Sequence, residues 1–292
     1  MTADSQELLD RQNSDGGWSY RGAGSSWTEP SCYALLALYA DGASDSDAVG
    51  RAAGWLAARQ RSDGGWAPRD GVDQSTWVTA SALLLPASTA TGSDHRIDRE
   101  RAAQWLIQQT GRESSFVYRL RLRLLGATED PSQKFDGWPW YPGTAAWVAP
   151  TALSILALDK FSRETAQPRI RERVEQGREF LLARRCRDGG WNHGSTHALG
   201  YDSDSYPETT GIAVLALHGE SSPRMAQAVE VAERHLQHSQ SLEAASWLTL
   251  ALLARGRMPA PVLASPHGGT SEIALSMLAR AAASGRNLFL DG

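Results

Sequence analysis

A short motif recurs four times along this chain, and it limits the possible folds more than anything else in the sequence. Gln12-x-x-Asp15-Gly16-Gly17-Trp18 returns intact at Gln60-x-x-Asp63-Gly64-Gly65-Trp66. It returns altered at Gln133-x-x-Asp136-Gly137-Trp138, which lacks one glycine, and at Arg185-x-x-Asp188-Gly189-Gly190-Trp191, where Arg replaces Gln. Four copies in one chain indicate a repeat architecture. Each follows an apolar-periodic segment, so the glycines are expected to supply the positive-φ turn that ends a helix and the indole a wedge between neighbouring repeats.

A second template follows each copy. Glu29 to Leu38, Ala149 to Leu158 and Glu208 to Leu217 align without gaps, polar at the start and apolar on every face afterwards; Thr79–Ser88, Glu243–Leu252 and Ser271–Arg280 fit it more loosely. Helices apolar all round must be covered on both sides. The six around 28–40, 77–87, 147–159, 207–218, 243–254 and 271–283 therefore belong inside. Residues 4–12, 47–60, 98–109, 167–186 and 223–239 instead carry one apolar face at helical spacing and should lie outside. Ala52-Ala53-x-Trp55-Leu56 and Ala102-Ala103-x-Trp105-Leu106 mark the same outer face in successive repeats. A sixth outer helix is not expected, because Met258-Pro259-Ala260-Pro261 occupies its place and proline is tolerated only in a first turn. The expectation is an all-α ring, an (α/α)6 toroid with parallel inner helices, formed by residues 1–292 as a single domain.

At 292 residues with 41% apolar content, the chain can bury one large core. A formal net charge of −4 argues against a nucleic-acid surface. No apolar run reaches the roughly 18 residues of a spanning helix, and the N-terminus has no signal-like pattern, so a cytoplasmic location is expected, with peripheral membrane contact left open. The two cysteines, Cys32 and Cys186, cannot form a disulfide framework.

Two connections, 110–146 and 192–206, are longer than helix pairs need, and long loops on a rigid scaffold commonly carry function. In the first, Arg119, Arg121 and Arg123 alternate with leucines; they read either as an anion contact or as a solvated face. In the second, Asp202 and Asp204 lie close to Glu208, where like charge could keep one carboxyl protonated. Ser26-x-x-Glu29 and Ser205-x-x-Glu208 read as capping boxes. A glutamate can cap a helix and still face the hollow of a ring, where Glu29, Glu208 and Glu243 would gather at one rim. Aromatic residues near that rim, among them Trp138, Trp140, Tyr141, Tyr201 and Tyr206, are candidates to line an apolar pocket and to stabilise a cation through their π faces. His193-x-x-x-His197 has metal-ligand residue types, but the spacing lies in a loop and fixes no geometry; no metal and no other cofactor is expected.

The Gln-x-x-Asp-Gly-Gly-Trp copies resemble the QW repeats of squalene-hopene and oxidosqualene cyclases. The helix plan resembles the α/α toroid that those enzymes share with protein prenyltransferase β subunits. Class II cyclases carry two such barrels, and this chain corresponds to one. Their protonating Asp-x-Asp-Asp-Thr-Ala motif opens an inner helix, and alignment on the apolar tail lays Tyr206-Pro207-Glu208-Thr209-Thr210-Gly211 over it. The resemblance thus implies Glu208 as the acid, tuned by Asp204 or Asp202, with Glu29 and the aromatic residues above as substrate contacts. The prenyltransferases' Asp-x-Cys zinc pair has no counterpart here. The resemblance implies a terpenoid cyclase-like or prenyltransferase-like protein that acts on an isoprenoid or other apolar substrate by acid-initiated carbocation chemistry. The alternative is a non-catalytic toroid that binds a lipid, a peptide or a protein partner.

Overall fold

The computed structural model describes residues 2–43, 46–90, 96–115, 120, 124, 135–194, 197–198, 201–262 and 268–291, and only the backbone of Ala90, His197, Ala198 and Tyr201. The Arg119, Arg121 and Arg123 stretch and Gln133 lie outside the described residues. The described helices are α1 (Ala3–Asp10), α2 (Thr28–Ala40), α3 (Asp47–Ala58), α4 (Val78–Leu83), α5 (Arg99–Gln108), α6 (Val148–Glu164), α7 (Pro168–Ala183), α8 (Pro207–Ala216), α9 (Pro223–His238), α10 (Leu242–Ala254) and α11 (Thr270–Ala283). A two-residue hairpin, His197–Ala198 with Tyr201–Asp202, is the sheet among the described residues.

Six of these helices close a ring. α2 packs on α4, α4 on α6, α6 on α8, α8 on α10, α10 on α11, and α11 back on α2. These are the six segments apolar on all faces. α1, α3, α5, α7 and α9 pack outside them, with Ala52, Trp55, Leu56, Ala102, Trp105 and Leu106 buried as the repeated face requires. Between α10 and α11 the chain runs without described helix through Met258-Pro259-Ala260-Pro261. α4 is shorter than its template because Pro86 cannot donate to the helix ladder. Proline instead stands at the start of α7, α8 and α9, where no intrahelical N–H is needed.

The repeated motif acts as a four-point connector. Each indole Nε1–H donates to a carbonyl near an outer-helix end: Trp18 to Leu8, Trp66 to Leu56, Trp138 to Leu106 and Trp191 to Leu181, at 2.6 to 2.8 Å. Each tryptophan backbone N–H donates to an inner-helix hydroxyl, on Ser31, Thr79, Thr151 or Thr210. Asp15, Asp63 and Asp188 accept from the glycine N–H two residues on and from Ser26, Ser75 and Ser205. Gln12 and Gln60 donate onward to carbonyls at the next outer helix, Ala48 and Asp98, and Arg185 does the same to Arg224. At Gly64, φ is +96° and a Cβ would stand 2.5 Å from the Arg101 carbonyl, so only glycine fits.

The residue two past each tryptophan links one repeat to another. The carbonyls of Tyr20, Pro68, Trp140 and His193 accept from the N–H groups of Thr270, Thr28, Trp77 and Val148, which open α11, α2, α4 and α6. These bonds satisfy otherwise orphaned N–H groups at inner-helix starts. The bond from Thr270 to Tyr20, with an Arg280–Asp4 ion pair, joins the last helix to the first repeat.

Candidate functional site

The inner-helix starts form one mouth of the ring, and aromatic residues stand at the N-cap of four of them: Trp27 on α2, Trp77 on α4, Trp147 on α6 and Tyr206 on α8. None of these caps makes a side-chain hydrogen bond to its helix. At α2, α4 and α6 the backbone links supply that satisfaction instead, and α8 opens on Pro207, which has no N–H to satisfy. The rings are thereby released for contact with one another: Trp27 meets Tyr20 edge-on at 5.3 Å, and Trp77 meets Trp140 at 5.0 Å and Tyr141 at 5.5 Å. His193 lies tilted against both Trp147 and Tyr206. Trp147 and Tyr206 are 39% and 48% exposed, unusual for such large rings.

Just inside this belt stand four glutamates in the first turns of inner helices: Glu29 on α2, Glu208 on α8, Glu243 on α10 and Glu272 on α11. Glu29 is half-buried. Burial raises its carboxyl pKa, and the hydroxyl of Tyr20, which donates to Oε2, works against that rise. Glu243 is pushed up to about 7, first by burial and then by the negative charges of Glu29, Glu208 and Glu272, while a contact with Trp247 acts in the opposite direction. By surface area its side chain is exposed, so the like charges of the neighbouring glutamates are the firmer cause of the rise. Glu243 is thus open to solvent at the mouth and is not part of the packed core. Glu272 accepts from the Gly269 N–H at 2.6 Å and serves its helix as a cap.

Beneath the carboxylates the wall becomes aromatic. Tyr33 and Trp247 follow Glu29 and Glu243 by four residues and so lie on the same helix faces about 6 Å deeper. Their rings meet edge-on at 6.1 Å.

The two expected capping boxes do not form. Ser26 bonds Asp15 and Ser205 bonds Asp188 and His235, so both serines hold the motif loops and the helices cap at the aromatic residue that follows. Asp202 and Asp204 do not join Glu208 in a recess: both are exposed, and Asp202 pairs with Arg187 at 3.2 Å. The like charge at the mouth comes from other inner helices, which sequence proximity could not reveal. Trp138, a candidate pocket residue, is 2% exposed and packs as a motif wedge with the Arg173 guanidinium over its ring. Trp140, Tyr141 and Tyr206 stand at the mouth, and the Tyr201 side chain lies outside the described residues. Glu243 stands at the rim where its template position put it, and Trp247, which the sequence reading did not single out, falls on the same inner-helix template.

Two hollows open nearby. One of about 570 Å³ is bounded by Arg21, Gln240, Leu242 and Glu272. Another of about 400 Å³ is lined by Arg112, Glu113, Trp147, Arg184, His193 and Tyr206. Among the described residues no three His, Cys, Asp or Glu gather as metal ligands, and no helix is long and apolar enough to cross a membrane.

No family model matches the chain, and no curated protein matches it. Solved structures do. The chain is similar to the type II terpene cyclase MstE from Scytonema, at 21% identity and a TM-score of 0.52 over 98% of this chain and 77% of that one. A substituted variant of MstE has been solved in complex with the substrate geranylgeranyl dihydroxybenzoate. The chain is likewise similar to a GH8 endo-β-1,4-glucanase from an Achatina fulica gut metagenomic library, at 14% identity and a TM-score of 0.64 over 98% of both chains. A protein from Actinoplanes matches at 21% identity and a TM-score of 0.53, over 97% of this chain and 78% of that one. At these identities the likeness shows the fold, an α/α toroid, and nothing finer.

Proposed function

We propose that the chain is a terpenoid cyclase-like enzyme that protonates an isoprenoid or other unsaturated apolar substrate at the mouth of the ring, with Glu243 as the acid. The observation that carries this reading is the Glu243 carboxyl, held at about 7 among three other glutamates and set above aromatic rings. A general acid is most effective with a pKa near the working pH. In the reaction, the Glu243 proton would pass to one alkene carbon and leave a carbocation on the other. The π faces of Trp247 and Tyr33 and the negative charge of Glu29 and Glu208 would stabilise that cation. Loss of a proton from a carbon of the cation to one of these carboxylates would end the reaction as an alkene. Glu208, the position over which the cyclase motif aligns, serves here as one of the charges that keep the proton on Glu243. MstE, with an isoprenoid-bearing substrate on the same fold, supports this reading.

A second reading has support of its own. Two carboxylates of different protonation state also serve glycoside hydrolysis, one as acid and one as base, and the glucanase shares the fold over nearly the full length of both chains. One experiment separates the two. The protein is incubated with a panel of prenyl diphosphates and prenylated aromatic acids, and in parallel with β-1,4- and α-1,4-glucan oligosaccharides, and the products are identified by mass spectrometry. Cyclised products that vanish in Glu243→Gln support the proposal; shortened glucans in their place would transfer the site to hydrolysis. Turnover of neither, with substrate binding intact in the variant, would leave a binding module.

A further inference from the structure

The ring has a second mouth, at the C-terminal ends of the inner helices, and the chain closes it with its own segment Gly285–Asp291. Arg286 donates to the carbonyls of Tyr39 and Ala40 at the end of α2, at 3.1 and 2.9 Å. Lys160, itself buried near the end of α6, donates to the Leu288 carbonyl at 2.7 Å, and Arg163 donates to that of Leu290. These three cations draw the segment across the opening. Between them Phe289, 1% exposed, enters the ring and packs against Trp247 at 5.0 Å and Tyr33 at 6.4 Å. Seen from the carboxylate mouth, the order is Glu29 and Glu243, then Tyr33 and Trp247 one helical turn deeper, then Phe289.

We propose that Phe289 is a specificity-determining residue: it buttresses the Tyr33–Trp247 floor from below and so limits how much apolar substrate can enter beneath Glu243. The inference rests on the carboxylate mouth being the substrate entrance. Tyr33 and Trp247 are both 3% exposed, so the floor is closed, and it lies about one turn, roughly 6 Å, below the acid. That depth suits the compact end of a branched alkene and not an extended chain threaded through the ring. A phenyl removed from beneath two large rings leaves space that close-packed neighbours move to fill. In Phe289→Ala the floor therefore sinks and longer apolar groups are admitted.

The test measures n-alkanols of increasing length, from six to sixteen carbons, by isothermal titration calorimetry against the full chain. Alkanols undergo no protonation, so the result does not depend on Glu243 acting as an acid, and failure of turnover would leave it untouched. In the unaltered protein affinity should rise with length and then stop rising at a defined carbon number. In Phe289→Ala that limit should move out by about two to four carbons, the extent of a phenyl group. Glu243→Trp, which fills the mouth, should abolish binding in both backgrounds. If Phe289→Ala fails to fold by circular dichroism, Phe289→Leu is read in its place, with an expected shift of about one carbon. An unchanged limit in a folded variant overturns the proposal. So does alkanol binding that survives Glu243→Trp, or the absence of saturable binding to the unaltered protein.

Discussion

A glutamate in the first turn of a helix ordinarily gains from the dipole, an effect of about 0.3–1 kcal/mol that favours its charged form. Glu243 goes the other way, because burial and three like charges together outweigh that term. Its folded pKa of about 7 lies above the ordinary glutamate value of 4.5, so the stability it contributes is full below pH 4.5 and is lost as pH rises to and through 7. Glu243→Gln, which cannot acquire the charge, should therefore match the unaltered protein in melting temperature at pH 4.5 and exceed it at pH 8. The gain is on the order of 1 kcal/mol once solvent screening of an accessible group is allowed for. Scanning fluorimetry across this range checks the sign; equal melting temperatures at pH 8 would remove the electrostatic basis of the proposed acid. Turnover should in turn fall as pH rises through about 7, since only the protonated carboxyl can act.

At the scale of the element, the motif's value lies in joining an outer-helix end, a loop and an inner helix through one indole. Trp66 is fully buried and loses both its packing and its bond to Leu56 on truncation, so Trp66→Ala should cost about 3–5 kcal/mol in chemical denaturation. Gly64→Ala should cost more than about 1 kcal/mol, because the positive φ is strained for alanine and the new methyl meets the Arg101 carbonyl. Gly22 also has a positive φ, of 53°, but nothing lies within 4 Å of its absent Cβ. Gly22→Ala should therefore cost clearly less, and equal losses at the two sites would mean that the close approach at Gly64 contributes nothing.

For the molecule as a whole, the ring has no open end at which unfolding could begin independently of the rest. α11 packs on α2 and α1, and the Thr270–Tyr20 bond and Arg280–Asp4 pair cross the closure. Calorimetry should show one transition, with calorimetric and van't Hoff enthalpies in agreement. Asp4→Asn, which weakens the closure, should lower its midpoint without splitting it. Two separated transitions would mean that the repeats form more than one cooperative unit.

The helical class, the inner and outer alternation and the place of each motif loop were legible in the sequence, because they follow from local periodicity and from glycine and tryptophan at fixed spacing. The gathering of Glu29, Glu208 and Glu243 at one rim was legible too, since equal template positions on parallel helices must come together. Other features depended on chain segments far apart in sequence. Asp202 and Asp204 adjoin Glu208 in the chain yet face solvent, whereas Glu243 takes its repulsion from Glu29, more than two hundred residues away. The serines that look like caps are claimed by motif aspartates in the preceding loop. Whether the ring runs through as a channel or ends in a floor rested on Phe289, a lone aromatic residue in a short segment without periodicity. Its role comes only from the rings it meets on α2 and α10, Tyr33 and Trp247. Periodicity is a property of neighbouring residues and can be read along a chain; desolvation, repulsion and closure belong to groups that only the tertiary structure brings together.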